Sequence, residues 1–132
     1  MSESNKELSR RFTDLFSTGD LASAEEILSP VVVFHGTRGD GELRGLEQML
    51  EFVAGYRSAF PDARSSVEDQ IAEGDKVVTR WRARGNEFEM DGVTIERIED
   101  GRIAEVWVAR DELGLLLQLG VGPDAETAAD VR

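Results

Sequence analysis

The sequence predicts one small α+β domain in which N-terminal helices pack on a curved, mainly antiparallel β-sheet and enclose one pocket. Three observations carry that prediction. Up to Pro61 the apolar side chains recur at helical spacing, and beyond it the period becomes that of strands. Turn signals at Gly74-Asp75, Asp91-Gly92 and Asp100-Gly101 then divide the second half into a meander. There is no internal repeat and no sign of a second domain.

Each element follows from local chemistry. Leu8, Phe12, Leu15 and Phe16 share one helix face, and Gly19 supplies the stop. Asp20 caps a short second helix carrying Leu21, Ala24, Ile27 and Leu28, which ends before Pro30. Residues 31–35 are β-branched and aromatic, hence a strand, and residues 36–45 are rich in glycine and charge, hence a loop. Helical spacing returns over residues 46–60 through Leu46, Met49, Leu50, Val53, Tyr56 and Phe60, and Pro61 ends it. The meander comprises residues 63–73, 76–90, 93–99 and 102–109. Asp111 caps a terminal helix through Leu113, Leu116 and Leu117. The domain is placed at residues 1–120, with residues 121–132 read as a flexible tail from their Gly, Ala, Asp and Thr content.

Pairing strands across the turns sorts side chains onto two faces. Across Asp100-Gly101, Ile95 is expected opposite Val106 and Arg97 opposite Ala104, with Glu96 opposite Glu105. The helix-covered face then reads Phe88, Met90, Val93, Ile95, Ala104, Val106 and Val108, broken only by Arg97. The other face carries Glu87, Glu89, Glu96 and Glu105. A bulge near Gly85 is expected to bring Val77, Thr79, Trp81 and Ala83 inward and send Arg80, Arg82 and Arg84 outward. Trp107 stays on the charged face, so either the outer face of the sheet is partly buried in a homodimer or the last strand also bulges.

Composition narrows the function. The net charge is -12, from 15 basic and 27 acidic residues, which argues against nucleic acid and anionic membranes as partners. With no cysteine, thiolate nucleophiles and disulfides are excluded; with His35 the only histidine, so is a multi-histidine zinc site, and no metal site is expected. The N-terminus is polar and no apolar run is long enough to span a bilayer, so a cytoplasmic protein is expected.

An ordered series of motifs carries a family resemblance. It begins with Gly19-Asp20-Leu21, Val33-Phe34-His35 and Phe60-Pro61-Asp62, and continues through Ala72 to Val77 and Arg80-Trp81. The run from Arg97 to Glu105, then Trp107, Asp111 to Leu116 and Gln118-Leu119-Gly120 completes it. This series closely resembles the SnoaL-like polyketide cyclases. The resemblance implies a cone-shaped fold shared with nuclear transport factor and ketosteroid isomerase. It also implies intramolecular aldol ring closure of a small hydrophobic, polyketide-like compound, with no cofactor. Relatives on this scaffold also open epoxides, or have no known activity and only the pocket, and fold alone does not choose among these. The sequence departs from the family pattern at Gly85-Asn86-Glu87, where relatives often carry Gly-Thr-His, and at Val108, where an acidic residue is frequent.

An aldol closure needs a base for a C–H proton and a donor for the enolate oxygen. Asp111, at the end of the last strand, is the candidate base, and an ordinary helix N-cap is the competing reading of the same carboxylate. His35 and Arg97 are the candidates to polarise or orient a substrate, with structural pairing as their alternative. Trp81, Tyr56, Phe60, Phe16, Phe12 and Val108 are expected to line the binding cavity.

Overall fold

A computed structural model describes residues 2–36 and 41–120. The expected tail at residues 121–132 lies outside the described residues. The helices are α1 (Ser2–Thr18), α2 (Leu21–Ile27), α3 (Leu46–Ala59) and α4 (Glu112–Leu119). The strands are β1 (Leu28–His35), β2 (Glu42–Arg44), β3 (Arg64–Glu73), β4 (Lys76–Arg84), β5 (Glu89–Glu99) and β6 (Arg102–Arg110).

The helical half follows its local signals. α1 buries Ser9, Phe12, Thr13 and Leu15 on one face. Asp20 caps α2 by accepting from the Ser23 N–H at 3.3 Å and from its hydroxyl at 2.7 Å. At the end of α3, Arg57 donates to four carbonyls, those of Phe16 (3.2 Å), Phe60 (3.4 Å), Ala63 (2.7 Å) and Pro61 (2.6 Å). That guanidinium ties α1, α3 and the entry to β3 together, and satisfies carbonyls that helix termination leaves without partners. The segment expected to be all loop contains β2, which adds to β1 through Val33–Arg44, Phe34–Leu43 and His35–Glu42 pairs.

The sheet order is β2-β1-β6-β5-β4-β3, antiparallel throughout except for the parallel β1–β6 pair. Turns occur at Gly74-Asp75 and at Asp100-Gly101, the latter with the positive φ at both residues (52° and 75°) that a type I′ hairpin requires. Asp91-Gly92 is not a turn. Both residues lie inside β5, and the β4–β5 connection is residues 85–88, closed by the Gly85 N–H on the Phe88 carbonyl at 2.9 Å. The expected bulge near Gly85 is therefore replaced by a loop there. β4 still presents Val77, Thr79, Trp81 and Ala83 inward, with Arg82 outward on Asp91 at 2.7 Å.

The inward face of β5 also differs from expectation. Arg97 pairs with Glu105 and Ile98 with Ile103, so Ala104 is the extra residue of a β-bulge in β6. One extra residue reverses the parity of the strand facing it. Glu96, not Ile95, opposes Val106, and the inward set is Met90, Gly92, Thr94, Glu96 and Ile98. Val93, Ile95 and Arg97 point outward, with Val93 39% and Ile95 36% exposed. The charge that breaks the helix-covered face is thus Glu96, fully buried, and not Arg97.

Glu96 sits between Val77 and Val106 on the neighbouring strands. Its Oε1 accepts from the Ser9 hydroxyl on α1 at 2.8 Å, while its Oε2 is buried with no hydrogen-bond partner among the described residues. Burial pushes the carboxyl up to about 7, against the opposing effect of the Ser9 bond. A folded-state pKa above the unfolded one means that stability is greatest at low pH and is lost as pH rises through about 7. The loss on full ionisation is about 3 kcal/mol, from some 1.4 kcal/mol for each pH unit of difference. Glu96→Gln, which keeps the shape and the acceptor, is expected to melt several degrees above wild type at pH 8 and nearly with it at pH 5. Thermal melts of both proteins across that range check this, and parallel curves would contradict it.

Candidate functional site

Two buried clusters flank a cavity of about 390 Å³ between the helices and the sheet. One cluster centres on Phe12, Leu15, Ile27, Phe34 and Val106, and the other on Ala63, Ala83, Phe88 and Met90. α1 and α3 supply an aromatic wall. Phe16 meets Phe12 edge-on at 5.4 Å and Tyr56 edge-on at 5.5 Å, and Tyr56 continues to Phe60 at 5.6 Å. All six residues expected to line the cavity do so: Phe12, Phe16, Tyr56, Phe60, Trp81 and Val108. The sequence reading missed Phe52, one helical turn before Tyr56, and the polar liners Thr13, Glu51, Ser65, Thr94 and Arg110. Phe52 was legible from its four-residue spacing to Tyr56. Thr94 and Ser65 carry no such signal, because strand parity alone decides which way they face.

The position of Trp81 rests on its cross-strand partners. It pairs with Gly92, and the indole lies across that bare backbone so closely that a Cβ on Gly92 would collide with the ring. Its Nε1–H donates to the Thr94 hydroxyl at 2.6 Å, which fixes the rotation of the ring as well as its place. The glycine therefore serves close approach of a side chain, not a reversal of chain direction. Tyr56 is the polar end of the aromatic wall. Burial raises its hydroxyl pKa, outweighing the field of Arg57 and a hydrogen bond with Ser65. It therefore stays protonated at neutral pH and can act as a donor.

The three residues put forward for chemistry lie elsewhere. His35 and Arg97 are on the outer face, where Glu105 joins them: His35 Nε2 is 2.6 Å and Arg97 Nε 3.3 Å from its carboxylate. His35 also stacks on Trp107 at 5.4 Å, and its Nδ1 is 3.1 Å from Glu42. The His35 hydrogen bond, with Arg97 assisting, holds the Glu105 carboxyl below the usual range. His35 reaches that face because it pairs with Trp107 in the parallel ladder, one residue out of phase with inward Phe34. Asp111 is exposed at the N-cap of α4 and accepts from the Gly114 N–H at 2.9 Å, and it is not among the residues that line the cavity. A Cβ on Gly114 would collide with that carboxylate, so the glycine belongs to the cap. Among the described residues, Glu51 on α3 is the carboxylate that lines the cavity.

Substituting Gly92→Ala should tilt Trp81 off the strand, break its bond to Thr94 and shrink the cavity. The expected cost is about 1–3 kcal/mol of stability, the usual range for overpacking. A shifted tryptophan emission maximum together with a lowered melting temperature checks it, whereas an unchanged spectrum would mean that the indole does not depend on Gly92.

Comparison with known proteins agrees with this architecture. The family model described as SnoaL-like polyketide cyclase matches residues 6–119. IdmH of Streptomyces antibioticus, a provisionally assigned polyketide cyclase, is 31% identical with a TM-score of 0.79, covering 89% of this chain and 99% of that one. A loop-truncation variant of IdmH is 34% identical with a TM-score of 0.80, covering 88% and 99%. A provisionally assigned SnoaL-like polyketide cyclase from Jannaschia sp. has a TM-score of 0.81 at 23% identity, covering 92% and 95%, and shares the cone-shaped fold. No curated protein matches. The chain belongs to the SnoaL-like polyketide cyclase family.

Proposed function

We propose that the cavity binds one small, largely apolar, polyketide-like carbonyl compound and closes a ring in it through an enolate-forming, aldol-type step. The observation that carries this reading is the aromatic cavity of about 390 Å³ with a protonated tyrosine hydroxyl at its wall. Aromatic walls favour a neutral, flat or folded apolar molecule. Holding such a chain bent brings its reacting carbons together, which alone removes much of the entropic barrier. Tyr56 donates to the carbonyl oxygen, where negative charge grows as the enolate forms. Glu51 takes the C–H proton, and the new C–C bond forms between the enolate carbon and a second carbonyl carbon of the same molecule. The proton then passes from Glu51 to the oxygen of that second carbonyl. Epoxide opening, which needs two acidic groups around one water or hydroxyl, has less support, since Glu51 is the cavity's one carboxylate among the described residues.

Incubation with a synthetic aryl-1,3,5-triketone, followed by liquid chromatography and mass spectrometry, tests the reaction. Wild type is expected to give the isomeric cyclic product, and Tyr56→Phe to slow it about 100-fold with little change in binding. Binding without turnover in wild type would leave the non-catalytic reading, a pocket that only holds a hydrophobic molecule.

The partner on the outer face is proposed to be a second copy of the chain. Val93 and Ile95 are exposed there beside Trp107, and Arg82 with Asp91 and Arg97 with Glu105 provide both signs of charge, as a self-complementary surface needs. Light scattering after size exclusion should give a dimer for wild type and a monomer for Ile95→Glu, and a monomeric wild type would refute it.

A further inference from the structure

We infer that Glu96, one layer behind the cavity wall, takes up a proton when an apolar molecule displaces water from the cavity. The inference rests on the proposed reading that the cavity holds such a molecule. It starts from position. Glu96 is the next inward residue of β5 after Thr94, and Thr94 lines the cavity. On α1 the same step separates Ser9, its hydrogen-bond donor, from Thr13, which lines the cavity and donates to the Ser9 carbonyl at 3.2 Å. The carboxyl thus lies one layer behind the cavity surface, joined to it through α1 and β5.

A chain of hydrogen bonds through the Ser9 and Thr79 hydroxyls and the Gln70 amide holds it in place. Gln70 Nε2 donates to Thr79 Oγ1 at 3.2 Å, Thr79 and Ser9 hydroxyls are 2.6 Å apart, and Ser9 donates to Glu96 at 2.8 Å. Arg10 Nη1 donates to Gln70 Oε1 at 2.8 Å at the exposed end. With donors aligned this way Oε1 is held as an acceptor, so the neutral form carries its hydrogen on Oε2, the oxygen with no partner among the described residues. The residues that face the carboxyl are uncharged: Ser9 and Thr13 from α1, Val77 and Thr79 from β4, Val106 from β6, and Thr94 and Ile98 on its own strand. The nearest α1 charges, Lys6 and Arg10, are directed outward to Glu3 and Glu7. With no charged neighbour, solvation opposed by the Ser9 bond decides whether Glu96 is charged. Its poise at about 7 means that a modest further loss of nearby water converts into proton uptake.

Calorimetric titration with N-phenyl-1-naphthylamine, a neutral apolar probe, at pH 7 in phosphate and in Tris tests this. The enthalpy difference between the buffers counts protons taken up. Wild type is expected to take up a few tenths of a proton and Glu96→Gln none, with equal affinities at pH 5.5, where wild type is already protonated. Wild-type affinity should fall about threefold or more between pH 6 and pH 8. Ser9→Ala, which removes the bond favouring the charged form, should move that fall to higher pH. Equal uptake by wild type and Glu96→Gln overturns the inference, as does probe binding by wild type with no uptake and no pH dependence. A wild type that does not bind the probe overturns the cavity reading, and this inference with it.

Discussion

Strand register across the β5–β6 hairpin governs the rest of the structure, and a single surplus residue sets it. Ala104 has no partner between the Arg97–Glu105 and Ile98–Ile103 pairs, so β5 turns over relative to β6 from Arg97 back to Gly92. Through that inversion Met90, Gly92 and Thr94 face the helices. Trp81 on β4 then finds a bare backbone and a hydroxyl acceptor opposite it, and lies flat as one wall of the cavity. Without the bulge Val93 and Ile95 would face the helices, and Trp81 would turn outward with Gly92, its partner across β4–β5. The cavity is a consequence of pairing more than of composition.

The same constraint separates what the sequence shows from what it hides. α1, α3, the Asp20 cap and the Asp100-Gly101 hairpin are legible because neighbouring residues determine them. Asp91-Gly92 is the same dipeptide as a good hairpin turn, yet it lies within a strand, and what distinguishes it is Trp81, a residue on another strand. The Ala104 bulge has no local signature either. Consequently the inward face of β4 was legible although the bulge expected to produce it is a loop, while Arg97 and Glu96 exchanged places. The apolar liners on α1 and α3 could be read from helical spacing alone. The polar ones on strands could not, and β3 has its own register shift between Val67 and Asp69, downstream of Ser65.

The two faces of this one sheet treat protons in opposite ways. Outside, Arg82 beside Asp91 and His35 beside Glu105 hold carboxylates below their ordinary range, so they remain ionised well into acid. Inside, burial raises both Tyr56 and Glu96, so the tyrosine keeps its proton at neutral pH and the glutamate is poised between its two forms. A net charge of -12 therefore does not describe what a molecule in the cavity meets. It meets hydroxyls and aromatic faces, with charge confined to Glu51 and Arg110 at the lining.

That contrast bears on why a carboxyl occupies the Glu96 position at all. A buried carboxylate with one unmatched oxygen is costly, and replacing such groups by uncharged residues of similar volume is often neutral or stabilising. The single Ser9 bond offsets only part of the burial cost, since the pKa still ends well above that of a free glutamate. Stability therefore gives no reason for the group, and neither does pairing, because no charged residue faces it. What the position does provide is a site that can exchange a proton near neutrality, beside a cavity whose water content changes when it is filled. For ring closure through an enolate, in which one proton leaves carbon and another returns to oxygen, a group of that kind can balance the cavity's charge while the reacting molecule excludes solvent.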